Sequence, residues 1–189
     1  MSVEGITLRY RIEPGGSRLT VKVTASGPLS AMGHNPTIAV GEYSGEATVL
    51  RDNLESATLR VALKADSLTV TDDVSQKDKN DIENRMKQEV LETSHYPEIV
   101  FETVAVSPTR LGDALYVVNL MGNLTLHGVR KSQSITCQVS LNDDAIRGYG
   151  EFTIKQTDFG IPLVSVAAGA LKVKDELKCA FDITMTKQA

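Results

Sequence analysis

Tryptophan is absent from this chain of 189 residues, and phenylalanine occurs only four times. Its core must therefore be mostly aliphatic, a lining that permits a cavity without requiring one. Positive charge is not in excess: 20 Lys and Arg stand against 24 Asp and Glu, a net charge of −4. That argues against a nucleic-acid partner, which wants a basic face. No apolar run approaches the length of a transmembrane helix. The opening residues, Met1-Ser2-Val3-Glu4-Gly5, lack the basic and apolar regions of a signal peptide. The expected compartment is the cytoplasm, or the periplasm if a leader has been removed. There are two cysteines, Cys137 and Cys179, both in apolar phase on predicted strands. They read as buried free thiols; the alternative, a disulfide, needs an oxidising compartment.

Recognisable chemistry is equally scarce. The chain has no G-x-S-x-G, H-E-x-x-H, C-x-x-C or glycine-rich phosphate loop. Its three histidines, His34, His95 and His127, are far apart and show no metal-ligand spacing. No metal or cofactor is implied, and the expectation is a protein that is not an enzyme. His95 reads as a surface residue at a helix exit, and His127 as a partner for a loop or the helix. His34 sits in the irregular segment Gly33-His34-Asn35-Pro36 and reads as a structural loop residue or a ligand contact. Asp158, before Phe159-Gly160, reads as a carboxylate accepting backbone N–H groups in a turn. If the chain is an enzyme, His34 and Asp158 are its acid–base candidates.

What the sequence has is period-two alternation. From Leu115 to Leu126, Tyr116, Val118, Leu120, Leu124 and Leu126 fall on one face with Gly122 among them. That is the signature of a long β-strand with unlike faces. After His127-Gly128, Ile135, Cys137, Val139 and Leu141 continue the pattern, so the pair reads as a hairpin. Further strands are predicted over 6–12, 18–25, 37–50, 56–65, 98–107, 147–156 and 177–185, with a small apolar loop at 164–169. One helix is expected within 72–93: Ile82, Met86 and Val90 recur every four residues with Leu91 beside them. Ser75 or Asp78 caps its start, and it lies against the barrel or serves as a crossover. Eight or nine strands joined mostly by short turns make an all-β fold, a sandwich or a closed antiparallel barrel. Strand length and in-strand glycines favour the barrel, one domain spanning 1–189.

Three blocks carry a family likeness. Ser94-His-Tyr-Pro-Glu-Ile-Val-Phe-Glu-Thr103, Gly122-Asn-Leu-Thr-Leu-His-Gly-Val-Arg-Lys131 and Phe152-Thr-Ile-Lys-Gln-Thr-Asp-Phe-Gly-Ile161 resemble, in order and spacing, the YceI-like family of polyisoprenoid-binding proteins. The resemblance implies an extended, lipocalin-like barrel with one helix, whose apolar tunnel holds a long-chain isoprenoid, such as a polyprenyl phosphate or a quinone tail, or a similar amphiphilic lipid, for binding, transport or storage. The expected wall is Val21, Val23, Val61, Phe101, Leu120, Leu124, Val139, Phe152, Phe159 and Phe181. His34, Gln156 and Asp158 are the candidates for the polar head. The family often carries arginine two residues before the aspartate of D-F-G; this chain has Gln156 there, which weakens a phosphate-holding role at that point. The rival readings are an enzyme on such a ligand and a filled-barrel stress-response or interaction module forming a homodimer.

Overall fold

The computed structural model describes residues 6–33, 35–51, 53–142 and 144–189. Strands β1 (Thr7–Ile12), β2 (Arg18–Lys22), β3 (Ala25–Ser26), β4 (Thr37–Val40), β5 (Tyr43–Leu50), β6 (Asn53–Lys64) and β7 (Leu68–Val70) precede the α-helix, α1 (Gln76–Arg85). After it come β8 (Glu98–Arg110), β9 (Leu115–Leu126), β10 (Val129–Leu141), β11 (Ala145–Lys155), β12 (Ser165–Val166), β13 (Leu171–Val173) and β14 (Glu176–Lys187). Eight strands close into an antiparallel barrel in the order β1-β5-β6-β8-β9-β10-β11-β14. The ring is sealed where β14 returns to β1, with Tyr10 opposite Lys187 and Ile12 opposite Met185. Closure leaves no unpaired edge in this ring. The expected barrel of about eight strands with a single helix is what the chain forms.

The central hairpin follows its alternation. On β9 the even-numbered residues from Val118 point inward, and Val118, Leu124 and Leu126 are buried. The turn to β10 is only His127-Gly128, both at positive φ (51° and 73°). Two left-handed residues match the twist of the strands they join. Gly128 is needed for a second reason, since a Cβ there would lie 2.6 Å from the Tyr96 ring.

Three walls of the barrel are built from two strands laid end to end. β14 pairs with β1 near its C-terminus and with β2 over Lys178–Asp182; β2 pairs with β4, and β4 with β7. The single strand expected over 37–50 is therefore two. At the break, Gly41 N–H turns to Ser67 O (3.1 Å) and Glu42 N–H to Ser67 Oγ (2.9 Å). Strand 18–25 is likewise divided: Ala25–Ser26 leaves for a small sheet, ordered β12-β13-β3. That sheet also takes two residues of the loop expected at 164–169.

The result is two tiers. The closed end, where β8 passes to β9 and β10 to β11, is filled by Tyr10, Ile12, Ala47, Val49 and Met185 and by Val106, Val118 and Cys137. The other end runs on as the β2-β4-β7 wall, and α1 lies across it. Ser75 caps α1, its Oγ accepting Asp78 N–H at 3.1 Å and donating to Asp78 Oδ2 at 2.7 Å. The helix is shorter than 72–93 and ends in a π turn, Met86–Val90. Its wider spacing keeps both Val90 and Leu91 on the face that carries Ile82 and Met86, and all four look into the barrel.

Candidate functional site

Below α1 the barrel is hollow. A cavity of about 430 Å³ runs down from the helix, floored by Leu59, Val61, Phe181 and Ile183 and walled by residues such as Val21, Ile38, Phe101 and Leu124. The volume falls within the roughly 300–1,000 Å³ of small-molecule sites. Among the described residues the polar members of the lining are Thr20, Arg85 and Gln156, apart from Cys179. On β14, Leu177, Cys179, Phe181 and Ile183 all point inward yet are only half-buried, because what they face is the void.

The cover is fastened along one side. Asp72 Oδ2 accepts Thr37 N–H at 2.5 Å, and Glu83 Oε1 accepts Val70 N–H at 2.8 Å, satisfying a donor on the edge strand β7. At the far end, Glu92 Oε2 meets His127 Nε2 at 2.7 Å, and the Tyr96 ring packs on the His127 ring with centroids 4.4 Å apart. The S-H-Y-P and L-T-L-H-G segments thus meet as a latch between helix exit and hairpin turn. His95 is exposed. Among the described residues no hydrogen bond joins α1 or its π turn to segment 160–175.

Of the expected wall residues, Val21, Val23, Val61, Phe101, Leu120, Leu124, Phe152 and Phe181 line the cavity. Val139 does not; it packs in the filled end beside Val118 and Cys137. Phe159, 2% exposed, is buried in the core behind the wall. His34 lies outside the described residues. Asp158 is exposed, and the carboxylate that holds this turn is Asp175: Oδ1 accepts Thr157 N–H at 2.9 Å and Oδ2 accepts the Thr157 hydroxyl at 2.6 Å. Those bonds hold the Asp175 carboxyl below its ordinary range. Gln156 is 4% exposed, lines the cavity, and donates through Nε2 to Lys174 O at 2.9 Å. Sequence reasoning missed Arg85, whose Nε lies 3.1 Å from Glu89 Oε2 at the edge of the cavity. It sits one turn from Glu89 and directly before Met86, so its only signal was its place beside the apolar stripe.

Both cysteines are free. Burial pushes the Cys137 thiol up to about 11 and that of Cys179 up to about 12. Neither is a nucleophile near neutrality. In the unfolded chain these thiols ionise near pH 8.5. Below that pH both states keep their protons, and the stabilisation is intact. As pH climbs towards 11–12 the unfolded chain ionises first, so stability falls. The thermal midpoint is expected to decline across pH 9–11, less steeply in a Cys137→Ala/Cys179→Ala variant. Scanning calorimetry over that range checks it, and equal slopes would exclude the thiols as the cause.

Among the described residues no three His, Cys, Asp or Glu gather to hold a metal. Residues 10–185 match the YceI-like domain family. No curated protein matches the chain. Solved structures share the fold. BcnA of Burkholderia cenocepacia superposes with a TM-score of 0.67 at 16% identity, covering 92% of this chain and 98% of its own. A polyisoprenoid binding domain from Saccharophagus degradans, implicated in plant cell wall breakdown, gives 0.67 and 16%, covering 95% and 98%. The YceI protein of Campylobacter jejuni gives 0.60 and 16%, covering 82% and 87%.

Proposed function

This chain belongs to the YceI-like family, and from that membership and its cavity we propose that it binds an isoprenoid or similar amphiphilic lipid and carries it unchanged. The observation that carries this reading is the lidded, almost wholly apolar void. An aliphatic wall offers a flexible hydrocarbon chain contact without direction, at about 25 cal/mol for each Å² taken out of water. The solved domain from Saccharophagus degradans, described as polyisoprenoid binding, has the same fold and supports the same class of ligand.

A carrier reading also suits what the lining does not offer. Thr20, Arg85 and Gln156 contain no acid–base pair, and burial keeps the Cys179 thiol protonated. Native mass spectrometry of the purified protein is expected to show a complex with one lipid, released and identified by organic extraction. A protein that arrives bare should take up an added prenyl lipid to one equivalent. A bare polypeptide mass with no saturable uptake would remove the proposal.

A further inference from the structure

Gln156 is the one polar residue buried among the described residues, and it lines a cavity that is mostly apolar. Its amide has a single possible orientation. One end lies 2.9 Å from Lys174 O, and a carbonyl oxygen can only accept, so that end must be the NH₂ group. The amide oxygen, Oε1, then has no donor from any described residue. It is not sealed inside the protein either, because among the described residues no fully buried side-chain polar atom lacks a partner. Its open side is therefore the cavity.

The backbone fixes this arrangement. Gln156 N–H donates to Asp175 O at 3.0 Å, and Gln156 O accepts Ile161 N–H at 3.1 Å. The side chain is thereby clamped between the D-F-G turn and the 174–175 strap. An acceptor on an open face of an apolar wall is where a ligand's donor can bind, in place of solvent. A phosphate dianion brings only more acceptor oxygens, and the Asp175 carboxylate stands on the same strap. The cation in the lining, Arg85, has the Glu89 carboxylate 3.1 Å from its Nε, so part of its charge is already met at the cavity edge.

We propose that Gln156 Oε1 is the head-group anchor of the cavity, and that it selects an uncharged lipid head carrying an O–H or N–H donor over a phosphorylated head. This rests on the lipid-binding reading and adds the class of ligand to it. The test uses geranylgeraniol, its methyl ether and its monophosphate, each displacing a bound apolar fluorophore, N-phenylnaphthylamine. The ether keeps the chain and the oxygen but cannot donate. The alcohol is expected to bind about three- to tenfold tighter than the ether, the span of one net hydrogen bond, and tighter than the phosphate. In Gln156→Leu that advantage should vanish while the ether binds as before. An ether equal to the alcohol, a phosphate tightest of the three, or an unchanged ratio in Gln156→Leu would each overturn the assignment while leaving lipid binding intact. If none of the three displaces the fluorophore, the lipid-binding reading fails with it. Should Gln156→Leu not fold, as judged by circular dichroism, the comparison of alcohol and ether on the natural protein decides alone.

Discussion

Gly122→Ala is expected to cost the barrel about 3 kcal/mol, the upper end of overpacking, and Gly122→Val more. A Cβ at this position would sit 2.5 Å from Glu102 O and 2.5 Å from Phe101 Cζ. The first neighbour is backbone, locked in the ladder where β8 faces β9 and Glu102 lies opposite Asn123. The second is a core ring that also walls the cavity. Neither can retreat cheaply. Just beyond, the register between β8 and β9 shifts at Thr103–Ala105, a bulge that bends the sheet. A side chain here would oppose that bend as well. A small domain has only about 5–15 kcal/mol of stability, so the loss should appear as a large drop in urea midpoint with an unchanged m-value. Gly15→Ala is the control: a Cβ there meets nothing within 4 Å, and its midpoint should not move. Equal midpoints for the two variants would show that β9 tolerates a side chain where the structure leaves no room.

The double variant Val21→Trp/Leu120→Trp is expected to abolish lipid uptake while leaving the fold intact. Val21 on β2 and Leu120 on β9 both line the void, and those strands stand on opposite walls of the barrel. Two indoles reaching inward take space now empty, so they displace ligand and not protein. Each 100 Å² of ligand surface denied burial costs about 2.5 kcal/mol, close to a hundredfold in Kd. Filling a void tends to raise stability by about 0.5–2 kcal/mol. Titration with the apolar fluorophore and a thermal melt on the same sample check both halves. Retained affinity would mean that the ligand lies elsewhere. A lowered melting temperature would mean that the void is smaller than the structure shows.

Much of this architecture is legible in the residues because a strand's period is two and a helix's is not. Leu177, Cys179, Phe181 and Ile183 announce the inward face of β14, and Ile82, Met86 and Val90 announce the underside of α1. The period gives the face of a wall and says nothing of the height along it. Val139 shares a phase with Ile135, yet Ile135 borders the cavity and Val139 packs in the filled end. The break at Gly41–Glu42 does leave a trace, since Gly41 reads as a bend point and the inward phase moves from even numbers at Ile38 and Val40 to odd numbers at Ala47 and Val49; what the residues do not tell is that the neighbours change there from β2 and β7 to β1 and β6. Asp158 and Asp175 were indistinguishable as turn acceptors, since the contact between Thr157 and Asp175 spans 18 residues of chain. Gln156 is plain as a residue type, but the direction of its amide depends on Lys174 O, which only the folded strap brings near.

The cover is bonded to β7 through Glu83 and to the hairpin turn through Glu92, and among the described residues α1 and its π turn have no hydrogen bond to segment 160–175. A ligand that enters and leaves past such a cover crosses one barrier in both directions. A change that raises this barrier alone, such as a tighter bond at β7, slows arrival and departure by the same factor and leaves equilibrium affinity where it was. How long a ligand dwells and how tightly it is held are thus set by different residues, the first at the rim and the second in the wall.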